Sequence, residues 1–494
     1  MNYQSTRGQS DENLSAAQII KQGLALDGGL FIPESIPSLS RDEILSLCAL
    51  SYPERAATIL SKFLTDYTYD ELLSDCREAY SDSSFPGGAA PAVKVRDGLY
   101  SLELWHGPTA AFKDMALQIM PRLLSRALTK TGEERTALIL VATSGDTGKA
   151  ALEGYRDVDG IKIMVFYPVD GVSQVQKMQM ATQTGNNVNV TAIYGNFDDA
   201  QTGVKVIFAD EDAKAYMNER GYFFSSANSI NWGRLAPQIV YYVSAYCDLL
   251  SRGDIAMGDK INVCVPTGNF GNIFAAYLAK LMGLPLGKLV CASNQNNILT
   301  DFLRTGRYDR NRDFHCTMSP SMDILISSNL ERLLALSAGK DKTAQYMASL
   351  SKDGAYEVDA DVKAKIDESF CGYFADESAT AATINKYFAD YGYLADTHTA
   401  VALSAAEQYM NATGDRTPMV VASTASPYKF AADVCTSLGL DRPENDLDAL
   451  DMLAQHTKTE IPYPLRNIAE RTVRFTETVR AEDMLDAVKK YIEE

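Results

Sequence analysis

After residue 93, short apolar runs rich in β-branched residues alternate with segments of helix length, and this alternation limits the possible folds more than any other feature of the chain. The strand candidates are 136–142, 161–168, 187–195, 261–266, 288–293 and 418–423. Each run is short and apolar enough to be buried on both faces, which is typical of parallel strands covered by helices. The sequence therefore predicts an α/β fold with parallel sheets.

The length of 494 residues exceeds what one hydrophobic core usually serves, so several domains are expected. Amphipathic helical patterns fill the first 90 residues, and a stretch rich in Gly, Pro and Ala at 84–93 connects them to the α/β part. The predicted division is a mainly helical N-terminal domain over 1–95, a smaller α/β domain over 136–214, and a large α/β domain over 96–135 and 215–494 with a mostly helical insertion near 314–396.

Charge and composition exclude several classes of partner. A formal net charge of −18 and a pI near 4.8 argue against a nucleic-acid-binding surface, because phosphate backbones are held by clustered Lys and Arg. No apolar run reaches the roughly 18 residues of a membrane span, and the start of the chain lacks a secretory pattern. We therefore expect a soluble cytoplasmic protein, either a monomer or a homodimer. The eight cysteines form no C-x-x-C pair, and we predict no metal site.

The clearest candidate site is a loop in “INVCVPTGNFGNIFAAYLAKLMG”, between a buried strand and a helix. Its residues are Gly268, Asn269, Phe270, Gly271 and Asn272. Glycines allow backbone N–H groups to approach an oxyanion closely, and the helix start adds free donors and a favourable dipole. The loop therefore has the features of a phosphate site. A plain strand-to-helix turn stays open as the alternative, because Gly and Asn are common in such turns.

A second strand-loop-helix unit, “LILVATSGDTGKAALEG”, is rich in hydroxyls and glycines. Its loop residues are Thr143, Ser144, Gly145, Asp146 and Thr147. A Walker A motif is excluded, because it needs Gly at the position of Thr143 and Ser or Thr at the position of Ala150. Hydroxyls and backbone donors without a magnesium-binding residue suit a carboxylate better than a nucleotide. Capping of the helix by Asp146 or Thr147 is the commoner use of such residues and stays open.

A third loop, in “PMVVASTASPYKFA”, places Ser423, Thr424 and Ser426 after a strand. These hydroxyls either contact a ligand or simply end the strand. In open α/β sheets, ligands bind outside the carboxyl ends of the strands. We therefore predict that the three polar loops converge on one site.

Lys113 stands in an otherwise nearly uncharged apolar run, “LELWHGPTAAFKDMALQIMPRLL”. Desolvation lowers the pKa of a buried lysine and makes its amine nucleophilic towards carbonyl groups. A lone lysine in a helical pattern more often extends to solvent or pairs with a neighbour, here Asp114. Together with a phosphate loop and hydroxyls for a ring nitrogen, however, this lysine indicates pyridoxal 5'-phosphate held as a Schiff base.

Six segments, in chain order, resemble the motifs of the threonine synthase family, in the branch with an additional N-terminal domain: “LELWHGPTAAFKDMALQ”, “ATSGDTGKAA”, “SSANSINWGR”, “PTGNFGN”, “SPSMDILISSNLERLL” and “DTHTAVAL”. The segment “GLALDGGLFIPESIP” is similar as well, so the resemblance covers residues 23–430. It implies two α/β domains of the tryptophan synthase β-like kind (pyridoxal-phosphate fold type II) plus a small helical N-terminal domain. It also implies conversion of O-phospho-L-homoserine and water to L-threonine and phosphate.

The resemblance assigns roles to individual residues. Lys113 matches the lysine that carries the cofactor, residues 268–272 match the loop for the cofactor phosphate, and Thr424 matches the hydroxyl that faces the pyridine nitrogen. Residues 143–147 match the loop that grips the substrate carboxylate. Relatives on this fold place Asn at the position of Asp146, facing the cofactor's ring oxygen. Because an anion would repel that oxygen, a direct cofactor contact by Asp146 stays open.

A second phosphate, that of the substrate, matches the dense donors of “SSANSINWGR”. The candidate ligands are Ser226, Asn228, Ser229, Asn231 and Arg234, with Lys149 and Lys177 as weaker ones. In the structural alternative, Asn228 and Ser229 cap the next helix and Arg234 forms an ion pair. His106 lies close to Lys113 in the chain, and His398, in “DTHTA”, is expected to line or brace the site. Catalysis by either histidine is not favoured, because a lysine can move all the protons of the reaction.

Other functions stay open at this point. A phospholyase similar to threonine synthase, or a serine or threonine dehydratase, would use the same fold. A third alternative is a binding protein without catalysis, against which the presence of Lys113 and an intact “GNFGN” loop argues.

Overall fold

The N-terminal region is mainly helical, as predicted, in a computed structural model that describes residues 1–8, 13–143, 145–170 and 172–493. Its elements are β1 (Tyr3–Ser5), α1 (Ala16–Gln22), β2 (Phe31–Pro33), α2 (Arg41–Cys48), α3 (Tyr52–Phe63) and α4 (Tyr69–Ala79). Helices α1, α2 and α4 each begin at a Ser or Thr whose side chain accepts from the third helical N–H, while the Glu or Gln at that position bonds back to the cap. The S/T-x-x-E/Q spacing therefore explains where these helices start.

Strands and helices alternate through the middle of the chain. The elements are β3 (Ala92–Arg96), β4 (Leu99–Glu103), α5 (Asp114–Leu117), α6 (Met120–Lys130), β5 (Thr136–Ala142), α7 (Asp146–Tyr155), β6 (Ile161–Pro168), α8 (Gln174–Ala181), β7 (Val188–Tyr194), α9 (Phe197–Ala209), α10 (Glu211–Glu219), β8 (Tyr222–Ser225) and α11 (Trp232–Arg252).

The alternation continues to the end of the described chain. The elements are β9 (Ile261–Pro266), α12 (Gly271–Leu281), β10 (Leu286–Ser293), α13 (Ile298–Thr305), β11 (Arg307–Asp309), α14 (Leu330–Ala338), α15 (Lys340–Asp353), β12 (Ala355–Glu357), α16 (Ala360–Ser369), β13 (Phe370–Phe374), α17 (Glu377–Tyr391), α18 (Thr397–Thr413), β14 (Met419–Ser423), α19 (Ala431–Ser437), α20 (Asp448–Thr457), β15 (Thr478–Arg480) and α21 (Met484–Glu493).

Two mainly parallel sheets carry the α/β part, which confirms the predicted fold class. The larger sheet has the order β13-β10-β9-β14-β4-β3, and its edge strand β3 is antiparallel to β4. The smaller sheet, β15-β7-β6-β5-β8, is parallel throughout. All six predicted runs form strands of these sheets. Every residue of β9 and β14 is buried, as continuous apolar runs predict for strands covered on both faces.

Strand pairing departs from the predicted domain ranges in three places. Strands β8 and β15 join the smaller sheet, although both lie within 215–494. Strand β3 joins the larger sheet, although all of it except Arg96 lies within 1–95. Strand β13, in the mostly helical insertion of the large domain, forms an edge of the same sheet. Helix α21 also packs on the smaller sheet, since Met484 shares a buried cluster with Leu138. Short strands gain their stability from partners distant in sequence, so local patterns do not predict them.

Helix α11 joins the N-terminal region to the α/β part. Trp232, at its start, is fully buried, and its ring centroid lies 5.4 Å from that of Tyr3 and 5.7 Å from that of Phe63. Arg55 of α3 forms an ion pair of 2.7 Å with Asp248 of α11. The N-terminal region therefore shares its core with the α/β part. Across the described residues, no helix, α11 included, is long and apolar enough to cross a membrane.

Candidate active site

Loops that follow the carboxyl ends of strands in both sheets come into contact. Phe112, after β4, donates its N–H to the carbonyl of Thr424, after β14, at 2.7 Å. The Lys429 ammonium lies 2.7 Å from Asp146 Oδ1 at the start of α7, which follows β5. The two sheets therefore present their carboxyl-end loops to each other, which is where parallel sheets bind ligands.

Lys113 occupies the N-cap position of α5 and is only partly accessible. Its Nζ lies 3.5 Å from Ser321 Oγ. Burial lowers the pKa of the Lys113 ammonium to about 8; the nearby Asp146 carboxylate opposes this effect, and the cations Arg234 and Lys429 add to it. The amine is therefore available in its neutral, nucleophilic form close to physiological pH.

Asp114 does not pair with Lys113, which removes the simplest structural explanation for that lysine. The carboxylate of Asp114 turns back to Thr109, accepting from its N–H at 2.8 Å and from its hydroxyl at 2.7 Å. Burial raises the pKa of Asp114 to about 7. Asp114 therefore shapes the turn before Lys113 and leaves the amine free.

The lowered pKa of Lys113 has a direct chemical readout. In the cofactor-free protein, carbamylation of Lys113 by cyanate is expected to rise with pH to a plateau, with a midpoint near 8. An unperturbed lysine has a midpoint of about 10.4. Mass spectrometry of the Lys113 peptide measures the profile, and surface lysines of the same digest provide the internal comparison. A profile for Lys113 that follows the surface lysines would contradict the buried environment.

The loop of residues 268–272 presents unpaired donors. None of its backbone N–H groups has a hydrogen-bond partner among the described residues, and α12 begins within the loop at Gly271. The buried Nδ2 of Asn272 also lacks a partner, while Tyr241 and Tyr242 donate their hydroxyls to its Oδ1 at 2.5 and 2.6 Å. These donors, gathered at a helix start, fit a phosphate group.

Two carbonyl groups of this loop accept hydrogen bonds from residues outside the loop. Ser327 donates its hydroxyl to Gly268 O at 2.7 Å, and Asn329 donates its backbone N–H and its Nδ2 to Asn269 O at 3.0 and 2.9 Å. A Cβ at Gly268 would lie 2.6 Å from Ser321 O, so only glycine fits there. With its carbonyls engaged in this way, the loop keeps its N–H groups for a ligand.

Thr143 shapes the loop after β5. Its Oγ1 accepts from the N–H groups of Gly145 and Gly148 at 3.0 and 2.9 Å. The alternative of capping by Asp146 or Thr147 is not realised, because the N-cap of α7 is Gly145 and Thr143 accepts from the N–H groups of its first turn. The Thr143 hydroxyl oxygen is also already used as an acceptor within its own loop.

The backbone of the same loop keeps free donors. The N–H groups of Asp146 and Thr147 have no hydrogen-bond partner in the described part of the chain. Gly145 has φ +142°, and a Cβ there would lie 2.4 Å from the Gln176 side chain, so the turn requires glycine. Ser144, predicted as a substrate ligand, lies outside the described residues. Two adjacent free N–H groups at a helix start fit a carboxylate.

The Asp146 carboxylate forms an ion pair with Lys429 in which both side chains are almost completely buried. Gln176 Nε2 donates to the same oxygen at 2.8 Å, and Lys429 Nζ also donates to Thr109 O at 3.0 Å. Burial raises the pKa of Asp146, but Lys429 and Lys113 together outweigh it and hold that pKa well below its usual range. Lys429 therefore supplies the counter-charge for the buried Asp146 carboxylate.

Lys429→Met is expected to destabilise the protein by about 3–5 kcal/mol at pH 7, because the buried Asp146 carboxylate loses its cation. The folded-state pKa of Asp146 is depressed, so its contribution to stability is present at neutral pH and is lost as the pH falls through that value. Urea denaturation followed by circular dichroism measures the loss. Asp146→Asn in the same background should recover most of it. A single variant as stable as the unmodified protein would show that the pair contributes nothing.

Asn231 is committed to structure rather than to a ligand. Its Oδ1 accepts from Gly233 N–H at 2.8 Å, which caps α11, and its Nδ2 donates to Ile20 O at 2.8 Å. Both polar atoms of the Asn231 side chain are thus engaged within the protein, so its predicted substrate contact gains no support from these bonds. The helix cap is also Asn231 rather than Asn228 or Ser229, because only Asn231 immediately precedes the first turn.

Ser226, Asn228 and Ser229 form a small turn before α11. Ser226 Oγ accepts from Asn228 N–H at 3.2 Å, and Asn228 Oδ1 accepts from Ser229 N–H at 2.8 Å. Asn228 is exposed, and the two serines are partly buried. Their hydroxyl and amide hydrogens stay available to a ligand, so these three residues remain predicted substrate ligands.

Arg234 is a buried cation without a carboxylate partner among the described residues. Its side chain is almost completely buried, one terminal nitrogen donates to Ala227 O at 2.8 Å, and its Nε has no partner. Burial lowers the pKa of the guanidinium to about 10, and the neighbouring Tyr155 hydroxyl is also unpartnered. The structural ion pair is therefore not formed. An uncompensated buried charge is costly, so this position fits an anionic ligand.

Three family models match successive parts of the chain: “Threonine synthase N terminus” over residues 2–80, “Pyridoxal-phosphate dependent enzyme” over 88–425 and “Threonine synthase, C-terminal” over 399–492. The threonine synthase of Pseudomonas aeruginosa is 39% identical over 436 residues, which are 87% of this chain and 89% of that protein. The chain belongs to the threonine synthase family.

Solved and curated members of the threonine synthase family are similar to this chain over most of its length. The crystal structure of the PLP-bound threonine synthase from Brucella melitensis matches with a TM-score of 0.88 and 36% identity, covering 100% of this chain and 98% of that one. Human threonine synthase-like 1 is 39% identical over 468 residues and 92% of this chain, but the chain spans only 62% of that protein's length. The predicted family, fold class and pyridoxal phosphate dependence are confirmed.

The residues present fit the cofactor of the threonine synthase family. The unpaired N–H groups of 268–272 and the orphaned Nδ2 of Asn272 suit its phosphate. Lys113 supplies an amine of lowered pKa, and the backbone hydrogen bond between Phe112 and Thr424 places the Thr424 loop beside it. These contacts support the predicted cofactor ligands.

The weaker lysine candidates and one histidine are engaged elsewhere. Lys149 forms a 3.0 Å ion pair with Glu153 and also bonds Gln183, while Lys177 donates to a backbone carbonyl. His106 Nε2 lies 2.7 Å from Glu103 Oε2. In this structure, none of these three side chains is brought into contact with Lys113.

The sequence analysis predicted no role for four residues at or around the site: Ser321, Asn329, Arg332 and Lys429. The first three lie in “SPSMDILISSNLERLL”, a segment that carries the family resemblance but no assigned role. Arg332 is fully buried and donates to Ile230 O at 2.6 Å and to Phe31 O at 2.9 Å. Lys429 shares the signal of Lys113, a lysine between apolar residues after a strand, which could have singled it out.

Proposed function

We propose that this protein converts O-phospho-L-homoserine and water to L-threonine and phosphate. The observation that supports the proposal is that two anion-binding features lie on either side of Lys113. The free N–H groups of 268–272 are linked to the amine through Ser321, and the Arg234 guanidinium, which has no carboxylate partner among the described residues, acts on the charge of Lys113. One suits the cofactor phosphate and the other suits a phosphate carried by the substrate. Membership of the threonine synthase family supports the same reaction.

Each group of the site has a defined task in this reaction. The free N–H groups of Asp146 and Thr147 bind the substrate carboxylate, and Arg234 binds its phosphate. Thr424 offers a neutral hydroxyl to the cofactor's ring nitrogen. Bound pyridoxal phosphate supplies an electron sink for the substrate carbanion. These contacts hold the substrate between the two sheets with its α-carbon towards Lys113.

Lys113 accepts and returns the protons of the reaction. As a neutral amine it takes the α-proton of the substrate, and its lowered pKa allows it to do so close to neutral pH. Loss of a β-proton then expels phosphate from the γ-carbon, the γ-carbon is reprotonated, and water adds at the β-carbon. Return of a proton to the α-carbon completes L-threonine. Arg234 stabilises the leaving phosphate throughout.

A substrate panel tests the proposal against its alternatives. The purified protein, supplied with pyridoxal phosphate, is incubated separately with O-phospho-L-homoserine, O-phospho-L-threonine and L-serine, and phosphate, threonine and 2-oxoacids are measured. We expect equal amounts of phosphate and threonine from the first substrate only. Phosphate with a 2-oxoacid instead of threonine would indicate a phospholyase, and 2-oxoacid from serine a dehydratase. No product from any substrate would reject all three enzymes.

A further inference from the structure

A buried carboxylate–imidazole pair lies behind the lysine site. Asp396 is completely buried and His398 almost so, and His398 Nδ1 lies 3.0 Å from Asp396 Oδ1. On the other side of the ring, His398 Nε2 accepts the backbone N–H of Ser321 at 3.1 Å. A backbone N–H can only donate, so Nε2 is unprotonated and the ring proton sits on Nδ1, directed at Asp396. The imidazole is therefore neutral, with its orientation set at both nitrogens.

The turn that His398 holds reaches the reactive amine. Ser321 lies in the 3₁₀ turn Pro320–Met322, and its Oγ is 3.5 Å from Lys113 Nζ. The carbonyl of the same residue packs against Gly268, where a Cβ would come within 2.6 Å. One residue thus contacts both the amine and the loop of residues 268–272. Its backbone N–H is held by the hydrogen bond to His398 Nε2.

Asp396 also reaches the opposite side of the site. Its second oxygen accepts from the Thr399 hydroxyl, and Thr399 Oγ1 lies 3.1 Å from Ser423 Oγ. Ser423 directly precedes Thr424, the predicted partner of the cofactor's ring nitrogen. The completely buried Asp396 carboxylate accepts hydrogen bonds at both of its oxygens, which fixes its position. Asp396 therefore ties the Lys113 side of the site to the Thr424 side.

We propose that Ser321 is a catalytic residue that accepts a hydrogen bond from the Lys113 amino group once that group carries the proton, and that Asp396 and His398 are positioning residues that hold Ser321 in place. The proposal rests on the proposed role of Lys113 as the base. Neither Ser321 nor His398 needs to gain or lose a proton. The Ser321 hydroxyl orients the proton that Lys113 has taken. The hydrogen bonds from Ser321 N–H to His398 and from His398 to Asp396 keep this hydroxyl close to the Lys113 amino group.

The sign of the effect follows from the charge on Lys113. A hydroxyl stabilises an ammonium through a charge-assisted hydrogen bond more than it stabilises a neutral amine. Loss of Ser321 Oγ should therefore shift the ionisation of Lys113 to lower pH. The charged groups that face the amine from other elements are Asp146, Arg234 and Lys429, and all three are unchanged in the variants.

The test measures the amine without substrate, so it is independent of the reaction. Full-length protein is freed of cofactor, Lys113 is carbamylated with cyanate across pH, and the modified peptide is quantified. We expect Ser321→Ala to lower the midpoint by at least about 0.5 pH units, which corresponds to about 0.7 kcal/mol of lost stabilisation of the ammonium. Ser321→Thr, which keeps the hydroxyl, should stay at the midpoint of the unmodified protein. An unchanged midpoint in Ser321→Ala would overturn the proposal.

Two further variants test the positioning role of His398 and Asp396. His398→Asn and Asp396→Asn should lower the midpoint as Ser321→Ala does, and the Ser321→Ala/His398→Asn double variant should shift no further than Ser321→Ala alone. The exposed His456→Asn is the control and should leave the midpoint unchanged. A shift in Ser321→Ala but not in His398→Asn would reject the positioning role. If His398→Asn does not fold, Asp396→Asn and the Ser321 variants decide. Threonine formation that fails while these shifts appear would reject the proposed function alone.

Discussion

Lys113→Ala is expected to abolish threonine formation, with a loss of at least about a thousandfold in kcat, and to remove the visible absorbance of the lysine-bound cofactor. The reason is that no substitute amine is available among the residues of the site that the structure describes. Lys429, the other buried lysine beside it, is held by Asp146 at 2.7 Å and by the carbonyl of Thr109. Its amino group is therefore engaged by two acceptors within the protein.

Absorbance spectra and a threonine assay on the same preparation measure this effect. The matched control is Lys205→Ala, which removes an exposed lysine of α9 and should leave both readouts unchanged. Thermal unfolding should be similar in the two variants, because Lys113 makes no ion pair among the described residues. Threonine formation or visible absorbance in Lys113→Ala would exclude Lys113 from the assigned role.

Arg234→Met is expected to lower kcat/KM for O-phospho-L-homoserine by about a hundredfold to a thousandfold, which corresponds to about 3–4 kcal/mol of lost binding to the transition state. Arg234 is the buried cation near Lys113 that lacks a carboxylate, so its loss removes the charge available to the substrate phosphate. Cofactor absorbance should persist, because the loop of residues 268–272 is untouched. Stability should not fall, because methionine removes an unpaired buried charge.

Steady-state kinetics and thermal unfolding together distinguish this result from misfolding. Inorganic phosphate should raise the unfolding temperature of the cofactor-loaded unmodified protein and have less effect on Arg234→Met, because only the former keeps the anion site. Arg220→Met, on an exposed surface, is the matched control and should behave as the unmodified protein. A kcat/KM within a factor of three of the unmodified value in Arg234→Met would exclude this arginine as the phosphate ligand.

Local patterns were sufficient for the central strands and insufficient for the edges. Strands β9 and β14 are buried on both faces, so their apolar runs are continuous and easily recognised. The three-residue strand β15 has no such run, and its pairing with β7 joins residues such as Val479 and Ile193 that lie far apart in the chain. The same limit applies to β8, which the sequence places in the wrong domain.

Side-chain partners within the site were predicted less well than its loops. Asn231 is of a residue type that often binds substrates, yet its side chain caps α11 and donates to Ile20 O. Asp114 is the nearest anion to Lys113 in sequence, yet it bonds Thr109. In both residues a hydrogen-bond partner within the protein engages the polar group, and residue type alone does not reveal that competition.

The sequence by itself determined the α/β class, the family, and the candidate status of Lys113 and residues 268–272, because these depend on periodicity and on motifs that are contiguous in the chain. Only the tertiary structure decided the charges and contacts around them: Asp146 against Lys429, Ser321 between Lys113 and His398, and Arg234 without a carboxylate. The physical reason is that electrostatic and hydrogen-bond energies depend on burial and on distances of a few ångströms. These distances join residues up to hundreds of positions apart, and spacing along the chain does not encode them.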